Sequence, residues 1–106
     1  MKLLFICNIG QNRSKTAAEL FSKKHETKYF GIYAETSKKA KELLDWADVV
    51  FVMEEHQRKF IADNYPKQYI TKRILNLEII DSYRYNQPKL IKILTERVNE
   101  WLKKIN

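Results

Sequence analysis

The stretch Lys2-Leu3-Leu4-Phe5-Ile6-Cys7-Asn8-Ile9-Gly10-Gln11-Asn12-Arg13-Ser14 sets how the rest of the chain is read. Lys2 to Cys7 is a short apolar run, which predicts a buried strand. Asn8 to Asn12 is polar and contains Gly10, which predicts a loop. From Ser14 to about Glu26 the pattern changes. Ala17, Leu20 and Phe21 recur at helical spacing among good helix formers. A cysteine therefore ends a strand, five residues link it to an arginine, and a serine opens a helix.

Each part of this junction has a physical use around a phosphate. Five linking residues let the loop curl so that its backbone N–H groups face one anion. The helix opening at Ser14 adds unpaired N–H groups and a positive dipole end. Arg13 can hold two phosphoryl oxygens with its planar fork. Gly10 can take a left-handed conformation without steric cost. The fields that hold an anion also favour the thiolate of Cys7, which makes it a nucleophile. With 5 Arg and 9 Ser or Thr in the chain, a lone Cys has Arg six and Ser or Thr seven residues on in about 0.4% of cases.

Outward from this loop, strands and helices alternate. Tyr29 to Ala34 predicts a second strand, and Thr36 or Ser37 caps a helix running to about Trp46. Val49-Val50-Phe51-Val52-Met53 is the clearest buried strand. Glu54 to Asn64 predicts an amphipathic helix that stops before Pro66, Ile70 to Leu77 a fourth strand, and Glu78 to Tyr85 a loop. The last helix runs from about Gln87 to Lys104, with Pro88 in its first turn and Leu90, Leu94, Val98, Trp101 and Ile105 as its apolar stripe. This order predicts an α/β fold. The expected architecture is a single three-layer domain over residues 1–106. Its four-stranded parallel sheet has the order 2-1-3-4, with helices on both faces and a phosphate-binding loop after the first strand. Ligands in such sheets sit at the carboxyl ends of the strands.

Composition narrows the class. The chain has 106 residues, 44% hydrophobic and 31% charged, with 2 Gly and 2 Pro, which excludes disordered and collagen-like readings. No apolar run approaches the roughly 18 residues of a membrane span. Leu3 to Ile6 is too short for a signal-peptide core, so the cytoplasm is the expected location. The one cysteine cannot form an internal disulfide. The net charge is +7, and residues 1–53 carry 9 basic and 6 acidic side chains against 11 and 7 in residues 54–106. That even spread reads as a solvated lysine-rich surface. His25 and His56 read as exposed helix positions without metal-site spacing. Trp46 and Trp101 read as core or core edge.

The loop resembles the C-x5-R-S signature of the low-molecular-weight protein tyrosine phosphatases, which also follows the first strand. Asp48 to Glu54 is similar to that family's buried third strand with its acidic end. Asp81-Ser82-Tyr83 is similar to its Asp-Pro-Tyr motif. The stretch from Asp81 into the Pro88 helix most closely resembles a compact prokaryotic branch of the superfamily. The resemblance spans nearly the whole chain. It implies Cys7 as the nucleophile that forms a phosphocysteine, Arg13 as the phosphate and transition-state ligand, and Asp81 as the general acid. It implies substrate contacts from Asn8, Ile9, Gly10, Gln11, Asn12, Ser14 and Tyr83, with Ser14 supporting the thiolate. Gly10 stands where the family commonly has a left-handed Asn, and Asn12 where many members have a second, protective cysteine. Ser82 replaces the motif's Pro, and Arg84 a second Tyr.

The residues support an acid at Asp81 independently. A phosphomonoester with a poor leaving group needs a proton donor, and Asp81 follows the fourth strand at the same sheet edge as Cys7. Glu78 is the alternative donor. A phosphorylated protein or small phosphomonoester is the expected partner. Phosphotyrosine, phosphoarginine and a phosphorylated metabolite all fit such a pocket. No metal or other cofactor is implied, because thiolate, arginine and backbone supply the charge. Three other readings start from the same loop. An arsenate reductase-like enzyme would need an external thiol. The phosphatases of the RNA polymerase II tail have longer chains. A non-catalytic phosphate- or nucleic-acid-binding module would leave the Cys, Arg and Asp set without a purpose.

Overall fold

The computed structural model describes residues 1–105. In chain order the elements are β1 (Lys2–Cys7), α1 (Arg13–Phe21), β2 (Glu26–Gly31), α2 (Ser37–Trp46), β3 (Val49–Val52), α3 (Glu55–Asn64), α4 (Pro66–Thr71), β4 (Arg73–Asn76) and α5 (Pro88–Ile105). All strand pairs are parallel and the sheet order is β2-β1-β3-β4, as the sequence predicts. In register, Cys7 lies opposite Gly31, Ile6 opposite Val52 and Val52 opposite Asn76. The exits of all four strands therefore share one sheet edge, and the loop from Asn8 to Asn12 begins there.

Successive strand residues point to opposite faces. Leu3, Phe5, Cys7, Val49 and Phe51 join Ala17, Phe21, Leu90, Leu94 and Val98 on one face. Leu4, Ile6, Val50 and Val52 join Ala40, Leu44 and Ile61 on the other. β1 and β3 are buried on both sides, which is why they read as unbroken apolar runs. Each fully buried Leu of α5 contributes about 1.5–3 kcal/mol. At the end of α5 the buried residue is Leu102, and Trp101 and Ile105 of the expected stripe are only half-buried. Trp46 likewise packs at a core edge.

Several boundaries differ from the sequence reading. α1 stops at Phe21, five residues short of Glu26, because the chain must turn back to pair beside β1. The His25 N–H donates to the Phe21 carbonyl at 3.1 Å and the Glu26 N–H to that of Met1 at 3.2 Å. His25 thus lies in this turn and not on a helix, whereas His56 is an exposed helix residue as expected. β2 begins at Glu26, three residues before Tyr29. As an edge strand its outer half is exposed and tolerates charge. It ends at Gly31, where a turn takes Ile32 to Ala34 out of the sheet. Pro66 does not just close a helix; it opens α4 at its first position, where its missing N–H costs nothing. Ile70 and Thr71 belong to α4, so the fourth strand is only Arg73–Asn76 and Leu77 follows it. No described helix is long and apolar enough to cross a membrane.

Candidate active site

The loop after β1 is fastened from beneath by the chain leaving β2. The Ile32 N–H donates to the Cys7 carbonyl and the Tyr33 N–H to the Asn8 carbonyl, both at 2.9 Å. Gly10 has φ +73°, the left-handed state the sequence predicts. The other glycine, Gly31, lies directly against it. A Cβ on Gly31 would fall 2.2 Å from the carbonyl carbon of Ile9, and one on Gly10 2.8 Å from the Gly31 nitrogen. Both glycines of the chain thus serve one backbone crossing.

The curl this permits turns the Gly10 N–H onto Cys7 Sγ at 3.2 Å. Ser14 Oγ lies 2.9 Å from the same sulfur. Cys7 and Ser14 are both buried, at 2% and 0% exposure. Arg13 starts α1 and is 1% exposed. Its Nη1 donates to the Ile79 carbonyl at 2.6 Å and lies 3.4 Å from Glu54 Oε2. Its Nη2 is buried without a hydrogen-bond partner and lies 3.7 Å from Asp81 Oδ1. A buried, unpaired guanidinium nitrogen is costly unless an anion accepts from it.

Asp81 arrives on the segment that continues β4 past its last ladder pair. The Leu77 N–H donates to the Val52 carbonyl at 2.8 Å and that of Ile79 to the Met53 carbonyl at 2.7 Å. Glu78 between them takes φ +56°, and Arg97 donates to the carbonyls of both Leu77 and Glu78. Glu78, the alternative proton donor, is exposed. The Asp81 side chain is 51% exposed and accepts from Asn8 Nδ2 at 3.3 Å through Oδ2. Beyond it the segment is tied back to α1. The Tyr85 N–H donates to Asn12 Oδ1 at 3.2 Å and the Asn86 N–H to Thr16 Oγ1 at 2.8 Å. The Tyr85 hydroxyl donates to Glu19, which holds the phenol above its ordinary pKa of 10.0. Lys15 Nζ sits 4.8 Å above the Tyr85 ring.

Of the residues singled out from sequence, Cys7, Asn8, Gly10, Arg13, Ser14 and Asp81 come together at this sheet edge, and Asn12 braces the Tyr85 backbone beside them. Ile9 and Gln11 are exposed on the loop. Tyr83 is half-buried and packs against the core cluster that holds Leu3, Phe5 and Leu90. Three further residues beside the site escape a sequence reading: Glu54 beside Arg13, and His56 and Gln57, which both bond Asn8 Oδ1. The acidic end of the third strand was the signal for Glu54. His56 and Gln57 reach Asn8 across 48 and 49 residues of chain, and no local pattern marks them. Among the described residues no group of three His, Cys, Asp or Glu side chains is placed to hold a metal ion.

No protein-family model matches the chain, and no curated protein matches it in sequence. Solved structures match it over nearly its whole length. The tyrosine phosphatase Wzb from Escherichia coli K30, in complex with phosphate, is similar at 18% identity and a TM-score of 0.75, over 99% of this chain and 98% of that one. The low-molecular-weight protein tyrosine phosphatase from T. tengcongensis is similar at 19% identity and a TM-score of 0.73, over 98% and 99%. The YwlE arginine phosphatase from Geobacillus stearothermophilus is similar at 20% identity and a TM-score of 0.69, over 97% and 93%. Agreement over nearly all of each chain, with a parallel sheet in the order β2-β1-β3-β4, gives this protein the fold of the low-molecular-weight protein tyrosine phosphatases.

Proposed function

We propose that the chain is a cysteine-dependent phosphomonoester hydrolase, acting on protein phosphotyrosine through a phosphocysteine intermediate. One observation carries the reading. A buried sulfur bonded by a backbone N–H and a serine hydroxyl sits on the same loop as an unpaired guanidinium nitrogen, and a half-exposed carboxylate lies 3.7 Å from that nitrogen. The Cys7 thiolate attacks phosphorus, and the bond from phosphorus to the ester oxygen breaks. Asp81 gives its proton to that oxygen. Arg13 Nη2 and the loop N–H groups hold the phosphoryl oxygens as charge builds on them. Ser14 donates to the sulfur when it leaves again as thiolate. The Asp81 carboxylate then takes a proton from water, which attacks phosphorus and releases inorganic phosphate.

The fold neighbours support this chemistry, since Wzb and the T. tengcongensis protein are tyrosine phosphatases and YwlE is an arginine phosphatase. Phosphotyrosine is favoured by exposed apolar side chains on the two loops that carry the proposed site. Ile9 lies on the loop itself and Ile80 next to Asp81, and an aromatic ester can lie against them.

The test is steady-state hydrolysis of p-nitrophenyl phosphate, a phosphotyrosine peptide and phosphoarginine without added metal. Cys7→Ser is expected to lower turnover by about 10⁴-fold or more. Asp81→Asn is expected to lower it by about 10²-fold on the peptide and less on p-nitrophenyl phosphate. Turnover unaffected by Cys7→Ser would sink the mechanism. Phosphoarginine hydrolysed ahead of the peptide would change the substrate class and keep the chemistry.

A further inference from the structure

We propose that Asn8 is a positioning residue for Asp81 and fixes which of the two carboxyl oxygens carries the acid proton. The inference rests on the phosphatase reading above. It starts from Gln57, which is fully buried. Gln57 Oε1 accepts the backbone N–H of Met53 at 2.7 Å and that of Glu54 at 3.0 Å. Two N–H donors can meet only the oxygen of an amide, so the Gln57 side chain has one orientation. Its Nε2 then donates to Asn8 Oδ1 at 3.1 Å. Asn8 is oriented in turn, with its Nδ2 directed to Asp81 Oδ2 at 3.3 Å. His56 Nε2 lies 2.6 Å from the same Asn8 oxygen and must carry a proton to bond it, while His56 Nδ1 lies 3.4 Å from Glu54 Oε2.

The order of dependence runs from a buried backbone pair outward to the proposed acid. A carboxylic acid accepts an N–H more strongly at its carbonyl oxygen than at its hydroxyl oxygen. When Asp81 is protonated and Arg13 Nη2 gives its hydrogens to the phosphoryl group, the Asn8 bond therefore favours Oδ2 as the carbonyl oxygen and Oδ1 as the oxygen that carries the proton. Oδ1 is the oxygen on the Arg13 side, 3.7 Å from Nη2, where the phosphoryl group is gripped. A half-exposed carboxyl without Asn8 would divide its proton between two oxygens and turn toward solvent. The proton would then often be absent from the leaving group when the bond breaks.

The experiment measures kcat/KM, which reports the steps through phosphocysteine formation, on phenyl phosphate and p-nitrophenyl phosphate. Phenolate is the poorer leaving group and depends more on the acid. Asn8→Ala is expected to cost about tenfold on phenyl phosphate and less than about threefold on p-nitrophenyl phosphate. Added to Asp81→Asn it is expected to cost nothing further, since its only route is through that carboxyl. Gln57→Glu is close in shape and keeps the acceptor for the two backbone N–H groups. It presents an oxygen to Asn8, turns the Asn8 amide round and sets oxygen against Asp81. The same leaving-group-selective loss is expected, and this variant carries the test if Asn8→Ala does not fold. Nitrogen-15 spectra of the His56 ring in the wild type are expected to show a proton on Nε2. Equal losses on both esters, no loss, a loss that persists beside Asp81→Asn, or a bare Nε2 would each overturn the inference. Turnover that survives Cys7→Ser would instead bring down the phosphatase reading, and the inference with it.

Discussion

The two halves of the candidate site are built differently. The loop from Cys7 to Ser14 is sewn into the interior. Its sulfur, guanidinium and serine are all within 2% of full burial, and its backbone bonds the chain leaving β2. The segment from Ile80 to Asn86, which follows the buried Leu77 and Ile79, is an arm that is exposed except at half-buried Tyr83 and is tied at its two ends. One end is an extension of the sheet and the other bonds Asn12 and Thr16. Between the ties Asp81 is held by the side chains of Asn8 and Arg13. The half proposed to bind charge is thus inseparable from the core, whereas the half proposed to move a proton touches the core through Ile79 and Tyr83 and carries Asp81 at the surface between them.

That contrast can be attacked from both sides. Arg13→Lys should have the largest effect. A lysine cannot meet the Ile79 carbonyl, Glu54 and a phosphate together. A fall in kcat/KM of about 10²- to 10³-fold is expected by steady-state kinetics. Gly31→Ala should damage fold and cleft together, because its Cβ would meet the Ile9 carbonyl carbon at 2.2 Å. A loss of about 3 kcal/mol is expected, read as a drop in Tm of roughly 10–20 °C. Asp81→Asn should sharpen the contrast by doing the opposite. Its side chain is half-exposed, so stability should stay within about 0.5 kcal/mol in urea melts while activity falls. A large stability loss there would mean the arm is as deeply integrated as the loop.

The smallest effect concerns Tyr85. The bond to Glu19 favours the neutral phenol in the folded chain and raises its pKa above 10.0. Its small contribution is therefore fully present below pH 10 and is lost as pH rises through the folded value. In an ultraviolet titration Tyr85 should ionise above the ordinary phenol value of 10.0, and Tyr85→Phe should remove that late component. Ionisation of Tyr85 at or below 10.0 would show that the far tie is not made.

What could be read from the sequence follows the same division. The proposed nucleophile, the arginine and the serine lie within eight residues, so their spacing is visible along the chain. β1 and β3 announce themselves because burial on both faces forces apolar residues at every position. Pro66 was read only as a stop, because the same ring suits either the end of one helix or the start of the next. The partners of Asn8 could not be seen, since Gln57 is buried by the tertiary fold and a lone glutamine carries no periodic signal. Asp81 was found only through its resemblance and its place after a strand, and the brace that orients it lies on another element.

β2 was misplaced because Glu26 and Lys28 interrupt it, and Arg73 does the same at the start of β4. These are the two outer strands of the sheet. Each presents a free row of N–H and C=O groups, which a stray strand from another copy could extend into an aggregate. Charged side chains on those rows make such pairing unfavourable. The polar residues that blur these strands to a reader of the sequence also leave them a poor template for a neighbouring molecule.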